Sequence, residues 1–133
     1  MKPISAKIPK VIHLKTRLEC ADNTGAKELE LIAVKGYKGV KRRLPKAGVG
    51  DVIICSVKKG NEKMRKTIVY AVIIRQKKEY RRPDGMRVKF TSNAAIIVNP
   101  KTFEPQGTEI RSVVAKEAVE RFSMIGKISS IVL

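Results

Sequence analysis

The stretch from Ala71 to Val98 places the tightest limits on the fold. It opens within an apolar run, Ile68-Val69-Tyr70-Ala71-Val72-Ile73-Ile74, long enough for one buried strand and too short to span a bilayer. A turn dense in charge follows, with Arg75, Lys77, Lys78, Arg81 and Arg82 ahead of Pro83-Asp84-Gly85. Met86 to Phe90 then alternates, which predicts Met86, Val88 and Phe90 facing inward and Arg87 and Lys89 facing out. Ala94 to Val98 reads as a second short apolar strand. Two buried strands thus hold up a loop of fixed positive charge. That suits a polyanion and offers nothing obvious for catalysis.

Short apolar segments separated by turn residues run through the first two-thirds of the chain. Arg17 to Ala21 ends at Asp22-Asn23-Thr24-Gly25, and Lys27 to Val34 follows. A long basic excursion from Gly36 to Gly48 contains Lys41, Arg42 and Arg43. Val52 to Val57 is near-continuously apolar, and Thr67 to Arg75 returns after a turn carrying Lys58, Lys59, Lys63, Arg65 and Lys66. Five or six short antiparallel strands predict a mainly β fold, a small closed barrel that leaves no exposed edge.

Beyond Asn99-Pro100 the period changes. Ser112 is a candidate N-cap, with Ala115, Ala118, Val119 and Phe122 on one helical face and Lys116, Glu117, Glu120 and Arg121 on the other. Ser123 is placed to cap a second, shorter helix in which Met124, Ile128 and Ile131 recur, weakened by Gly126. The expected organisation is one domain: a basic arm over 1–16, a barrel over 17–99, and a loop with two short helices over 100–133.

Net charge is +17, from 29 Lys and Arg against 12 Asp and Glu. Self-repulsion on that scale opposes compaction unless a partner supplies the counter-charge, and nucleic acid is the usual supplier. Residues 1–18 carry five cations and no acid, 27–46 seven and two, 58–66 five and one, and 75–89 seven and two. Residues 101–133 hold five cations and four acids, which predicts a second surface with a different partner. Loops carried on a rigid barrel can converge on one surface. There Arg42, Arg43, Arg81 and Arg82 would fork onto phosphate oxygens while Lys58, Lys59, Lys77 and Lys78 act as flexible point charges.

Other function classes find little support. His13 stands alone without a nearby Ser, Cys or carboxylate, so no enzyme is expected, and no cofactor, metal or small-molecule substrate. Cys20 and Cys55 are isolated in apolar contexts and read as buried free thiols. The first ten residues have no apolar h-region, so neither a secretory signal nor a membrane partner is expected. Of six aromatics, Tyr70, Phe90 and Phe122 read as core. Tyr37 and Tyr80 sit in basic loops, where base stacking and simple packing both stay open. So few exposed aromatics favour structured RNA over a stacked single strand. A basic DNA binder and a dissociable translation factor remain as rivals.

The run Ala71-Val72-Ile73-Ile74-Arg75, then Arg81-Arg82-Pro83-Asp84-Gly85, Phe90 and Asn93-Ala94-Ala95-Ile96-Ile97-Val98, resembles the signature of the universal large-subunit ribosomal protein fourteen family. Ala21 to Lys27, Gly48 to Val52 and Val114 to Glu117 agree in order and spacing. The Val57-Lys58-Lys59-Gly60 turn and the upstream arm look like the archaeal and eukaryotic branch. The resemblance implies a small closed five-stranded antiparallel β-barrel with two short C-terminal helices, held in the cytoplasmic large subunit. It implies as partners large-subunit rRNA, neighbouring large-subunit proteins, small-subunit rRNA across the interface, and an anti-association factor. Thr108, Glu109 and the terminal helices, with Lys116, Glu120 and Met124, would form the protein and intersubunit surface. The family pattern has Gly-Pro where this chain has Ser112-Val113, and a basic residue near Met124.

Overall fold

The computed structural model describes residues 2–133, so Met1 of the expected arm lies outside the described residues. The first strands are β1 (Ile12–His13), β2 (Arg17–Cys20), β3 (Ala26–Val34) and β4 (Lys46–Ala47). Next come β5 (Val52–Gly60), β6 (Ile68–Arg75), β7 (Tyr80–Arg81), β8 (Arg87–Val88) and β9 (Ala94–Val98). The chain ends in β10 (Ile110–Val114), α1 (Lys116–Arg121), α2 (Ser123–Ile128) and β11 (Ser129–Val132).

Strands β2, β3, β5, β6 and β9 close into a barrel. The mainly β, five-stranded architecture with two short C-terminal helices is the one expected. One detail differs. The closing seam is parallel, with Glu19 beside Ala94 and Cys20 beside Ala95, while the other seams are antiparallel. A closed ring with an odd number of strands cannot alternate direction all the way round, so one parallel seam is unavoidable. Asp22 stitches this seam: its carboxylate accepts the Ile97 N–H at 2.8 Å and the Thr24 hydroxyl at 2.6 Å.

Side chains from Leu18, Leu29, Leu31, Cys55 and Val57 are buried along the alternating strands. Every residue of β9, and Ala71 to Arg75 of β6, is buried. These strands need apolar residues on both faces because the C-terminal segment covers them from outside. The Ala115 N–H donates to the Ile74 carbonyl at 2.9 Å, and Ile110, Val114, Ala118 and Ile125 are all buried.

Several local expectations change. Met86 is 66% exposed, and only Arg87 and Val88 of its segment form a strand. The ladder there is two pairs long, Tyr80 with Val88 and Arg81 with Arg87, which leaves Met86 on the turn. Ser112 lies inside β10, and α1 starts from Ala115 with no side-chain cap. The segment expected to continue the second helix is β11, paired in parallel with β10. Gly126 sits in α2 where an added Cβ would come within 2.7 Å of Val119, so the poor helix former is required by the α1–α2 contact. Tyr70 is half-buried, whereas Phe90 and Phe122 are buried.

Both cysteines are free, Cys55 fully buried and Cys20 half-buried. Burial pushes both thiols from an ordinary 9.0 up to about 12. A folded-state value raised above the unfolded one leaves stability intact below pH 9.0 and lowers it as pH rises toward 12. For Cys55 the slope is about 1.4 kcal/mol per pH unit. Wild type is therefore expected to lose about 2 kcal/mol more than Cys55→Val between pH 8 and roughly pH 10.5 in urea unfolding. Equal pH slopes in the two proteins would refute the buried-thiol account.

Candidate nucleic-acid interface

Strand register fixes where each basic loop leaves the barrel. Ser56 lies beside Ile68, and Ala26 beside Gly60, so the loop carrying Lys58, Lys59, Lys63, Arg65 and Lys66 turns at one end. Val34 lies beside Ile53, Val52 beside Val72 and Arg75 beside Ala94. The loop of Lys41, Arg42 and Arg43 therefore leaves from the opposite end, together with the hairpin of Lys77, Lys78, Arg81, Arg87 and Lys89. The positive charge does not converge on one surface. It forms two poles.

All these side chains are exposed. Lys59 meets Glu28 at 3.5 Å and Arg87 meets Glu79 at 3.4 Å, surface pairs that a phosphate can displace at small cost. The loops themselves are braced. Arg42 adopts a left-handed backbone (φ 66°), and the Tyr37 hydroxyl donates to the Arg43 carbonyl at 3.1 Å. At the other pole, the Arg65 N–H donates to the Asn61 carbonyl at 2.8 Å and the Lys66 N–H to Val57 at 2.9 Å. Lys77 and Lys89 line a shallow cleft with Phe90 and Thr91, and Lys77 shares a second with Arg17, Ser92 and Asn93.

Two arginines of the expected set, and one tyrosine, are placed differently. Arg75 is 8% exposed, and its guanidinium donates to Ser92 at 3.0 Å, Ser112 at 2.7 Å and the Val113 carbonyl at 2.9 Å. It also pairs with Glu19 at 3.3 Å. The Ser112 hydroxyl is thus an internal acceptor for Arg75. Arg82 turns inward to Glu117, with Nε 2.8 Å from Oε1, and donates to the Leu133 carbonyl at 2.6 Å. Tyr80 is 1% exposed and donates its hydroxyl to Glu117 at 2.6 Å, so it packs and stacks on no base. Burial first, then the bond to Glu117, hold the Tyr80 phenol protonated well above its ordinary range.

Glu117 was expected on the polar face of α1 and is 3% exposed instead. The periodicity carried no sign of it, because a buried carboxylate with a distant Arg looks locally like any surface Glu. Thr108 and Glu109 are exposed, although Thr108 exchanges two hydrogen bonds with Asn23, at 2.7 and 2.9 Å. Lys116 and Glu120 form an exposed i, i+4 pair at 3.8 Å, and Met124 of α2 is exposed. Among the described residues no group of His, Cys, Asp and Glu gathers to hold a metal, and no helix is long and apolar enough to cross a membrane.

A family profile described as "Ribosomal protein L14p/L23e" matches residues 11–133. The chain belongs to that family. Large ribosomal subunit protein uL14 of Methanocella arvoryzae is 55% identical over 133 residues, covering all of both chains. The protein of the same name from Methanothrix thermoacetophila is 54% identical over all of both chains, and that from Methanococcus vannielii is 53% identical over 99% of each. Membership makes the chain a structural ribosomal protein of archaeal type and not an enzyme.

Proposed function

We propose that the chain binds large-subunit rRNA through the basic loops at both barrel poles and contributes to the intersubunit interface. Its relatives are named as large-subunit proteins, and this chain takes the same place, as a structural constituent of the cytoplasmic subunit. The observation that carries the RNA reading is the placement of braced, exposed cations at two ends of one rigid barrel. Such contacts fix position on the phosphate backbone and carry little sequence information, so binding should be strongly salt-dependent. The whole chain acts as one unit, with the near-neutral flank of Thr108, Glu109, Lys116, Glu120 and Met124 left for other partners. Neighbouring subunit proteins, small-subunit rRNA and an anti-association factor are the partners proposed there.

Sucrose-gradient fractionation before and after a high-salt wash tests the placement. One copy per large subunit that survives the wash is the expected result. Recovery at the top of the gradient would instead identify a dissociable factor, and equal affinity for duplex DNA and rRNA would identify a general polyanion binder.

A further inference from the structure

We propose that residues 2–10 are a strap that fixes the conformation of the cationic hairpin over residues 76–89, with Gln76 as the tie point. The purpose of the strap rests on the RNA-binding reading above, whereas its mechanical role does not. The family profile begins at residue 11, yet the Methanocella relative aligns over the full 133 residues. Residues 2–10 thus lie ahead of the profile match, while a full-length relative aligns across them.

In the structure the arm runs across the hairpin pole. The Arg121 Nε donates to the Lys2 carbonyl at 2.9 Å. Ile4 lies over Gly50, where an added Cβ would stand 2.7 Å from its Cδ1, and Gly50 has φ +84°. Ile8 and the Pro9 carbonyl lie over Gly48, 3.2 and 3.0 Å from where a Cβ would stand. The two glycines leave the floor open, and the arm fills it. Lys7 forms a bridge pair with Arg81, covering the outer edge of β7.

Gln76 joins these parts. It is 0% exposed, its Oε1 accepts the Val49 N–H at 3.1 Å, and its Nε2 donates to the carbonyls of Lys78 at 3.1 Å and Pro9 at 3.4 Å. One buried amide thus links the arm, the glycine floor and the first turn of the hairpin. The hairpin needs such support, because a two-pair ladder has little stability of its own. Glu117 holds it from one side through Tyr80 and Arg82. The arm holds its open edge. An ordered hairpin presents its cations without a loss of loop entropy on binding.

The arm also carries Lys2, Lys7 and Lys10, all exposed, so a strap must be told apart from a simple donor of charge. Full-length Ile4→Ser/Ile8→Ser releases the apolar anchors and keeps the cations, while Lys2→Gln/Lys7→Gln removes two of the three cations and keeps the apolar anchors and the Lys10–Asp51 ion pair. Amide hydrogen exchange at Arg82 and Phe90, with Val72 of β6 as a core control, reads the hairpin directly. About tenfold faster hairpin exchange is expected in the serine variant alone, with an unchanged core and restoration by Ile4→Val/Ile8→Val. Unchanged hairpin exchange in the serine variant overturns the strap, as does equal loosening in the charge variant. Filter binding to large-subunit rRNA should weaken in the serine variant. A loosened hairpin with unaltered affinity would leave the strap standing and overturn the hairpin's role in RNA binding.

Discussion

Replacing Glu117 by alanine is expected to lower stability by about 3–5 kcal/mol, a loss of roughly 10–20 °C in Tm for a domain of this size. The carboxylate is 3% exposed and satisfies two groups at once, the Tyr80 hydroxyl at 2.6 Å and the Arg82 guanidinium at 2.8 Å. Truncation leaves a half-buried cation without its counter-ion and a buried hydroxyl without its acceptor, and both desolvation penalties remain. Glu117→Gln keeps the shape and one acceptor, so it should fall between wild type and alanine. The double replacement Glu117→Leu/Arg82→Met removes both charges together and should recover much of the loss, since the cost lies mainly in the orphaned partner. Thermal unfolding of the four proteins separates the cost of orphaning Arg82 from the loss of the pair itself. An alanine variant that melts within a degree or two of wild type would show that the buried pair contributes nothing net.

Neutralising the exposed hairpin cations should do the opposite, leaving the fold intact and removing binding. Lys77→Gln/Lys78→Gln/Arg81→Gln/Arg87→Gln alters side chains that are all exposed and that share one surface ion pair, Arg87 with Glu79. Tm should move little, because such a pair is worth at most about 1 kcal/mol. Each lost phosphate contact removes about one unit from the slope of log K against log salt. Four contacts therefore predict about a thousandfold weaker binding to large-subunit rRNA near 0.1 M salt, with a slope shallower by roughly three to four. Arg82→Gln, one residue away, should instead lower Tm, because its guanidinium faces Glu117. Binding in the fourfold variant that matches wild type in affinity and slope would remove the hairpin from the interface.

The two contrasting arginines show where local reading of the chain stops. Turn residues and alternation placed β2, β3, β5, β6 and β9 to within a few residues, with Gly25 ahead of β3, Asn61 after β5, and Asn93 and Asn99 on either side of β9 marking ends. The face of α1 was equally legible, with Ala115, Ala118 and Phe122 buried at helical spacing. Arg81 and Arg82 look alike in the chain. A two-residue ladder sends them to opposite faces, and only the distant Glu117 makes one of them internal. Arg75 is the same case: its partners Glu19, Ser92 and Ser112 meet only after the barrel closes. The terminal strand β11 was hidden for another reason. Ile128 and Ile131 continue a helical spacing, and nothing local announces the parallel partner β10. The hairpin's apparent alternation failed at Met86 because the turn, not the pleat, decides the orientation of a residue beside so short a ladder.

The parallel seam between β2 and β9 makes folding a late event in the life of each new chain. Glu19 waits for Ala94, and Ile74 waits for Ala115 before the outside of β6 is covered. Pairings at such sequence separation form slowly, since most of the chain must be ordered before they repay the lost entropy. A ribosome delivering this polypeptide from its N-terminus therefore releases the positive arm and loops well before the barrel can close. During that interval the emerging protein is an unfolded polycation. It must finish folding, or meet its RNA, before unrelated polyanions capture it.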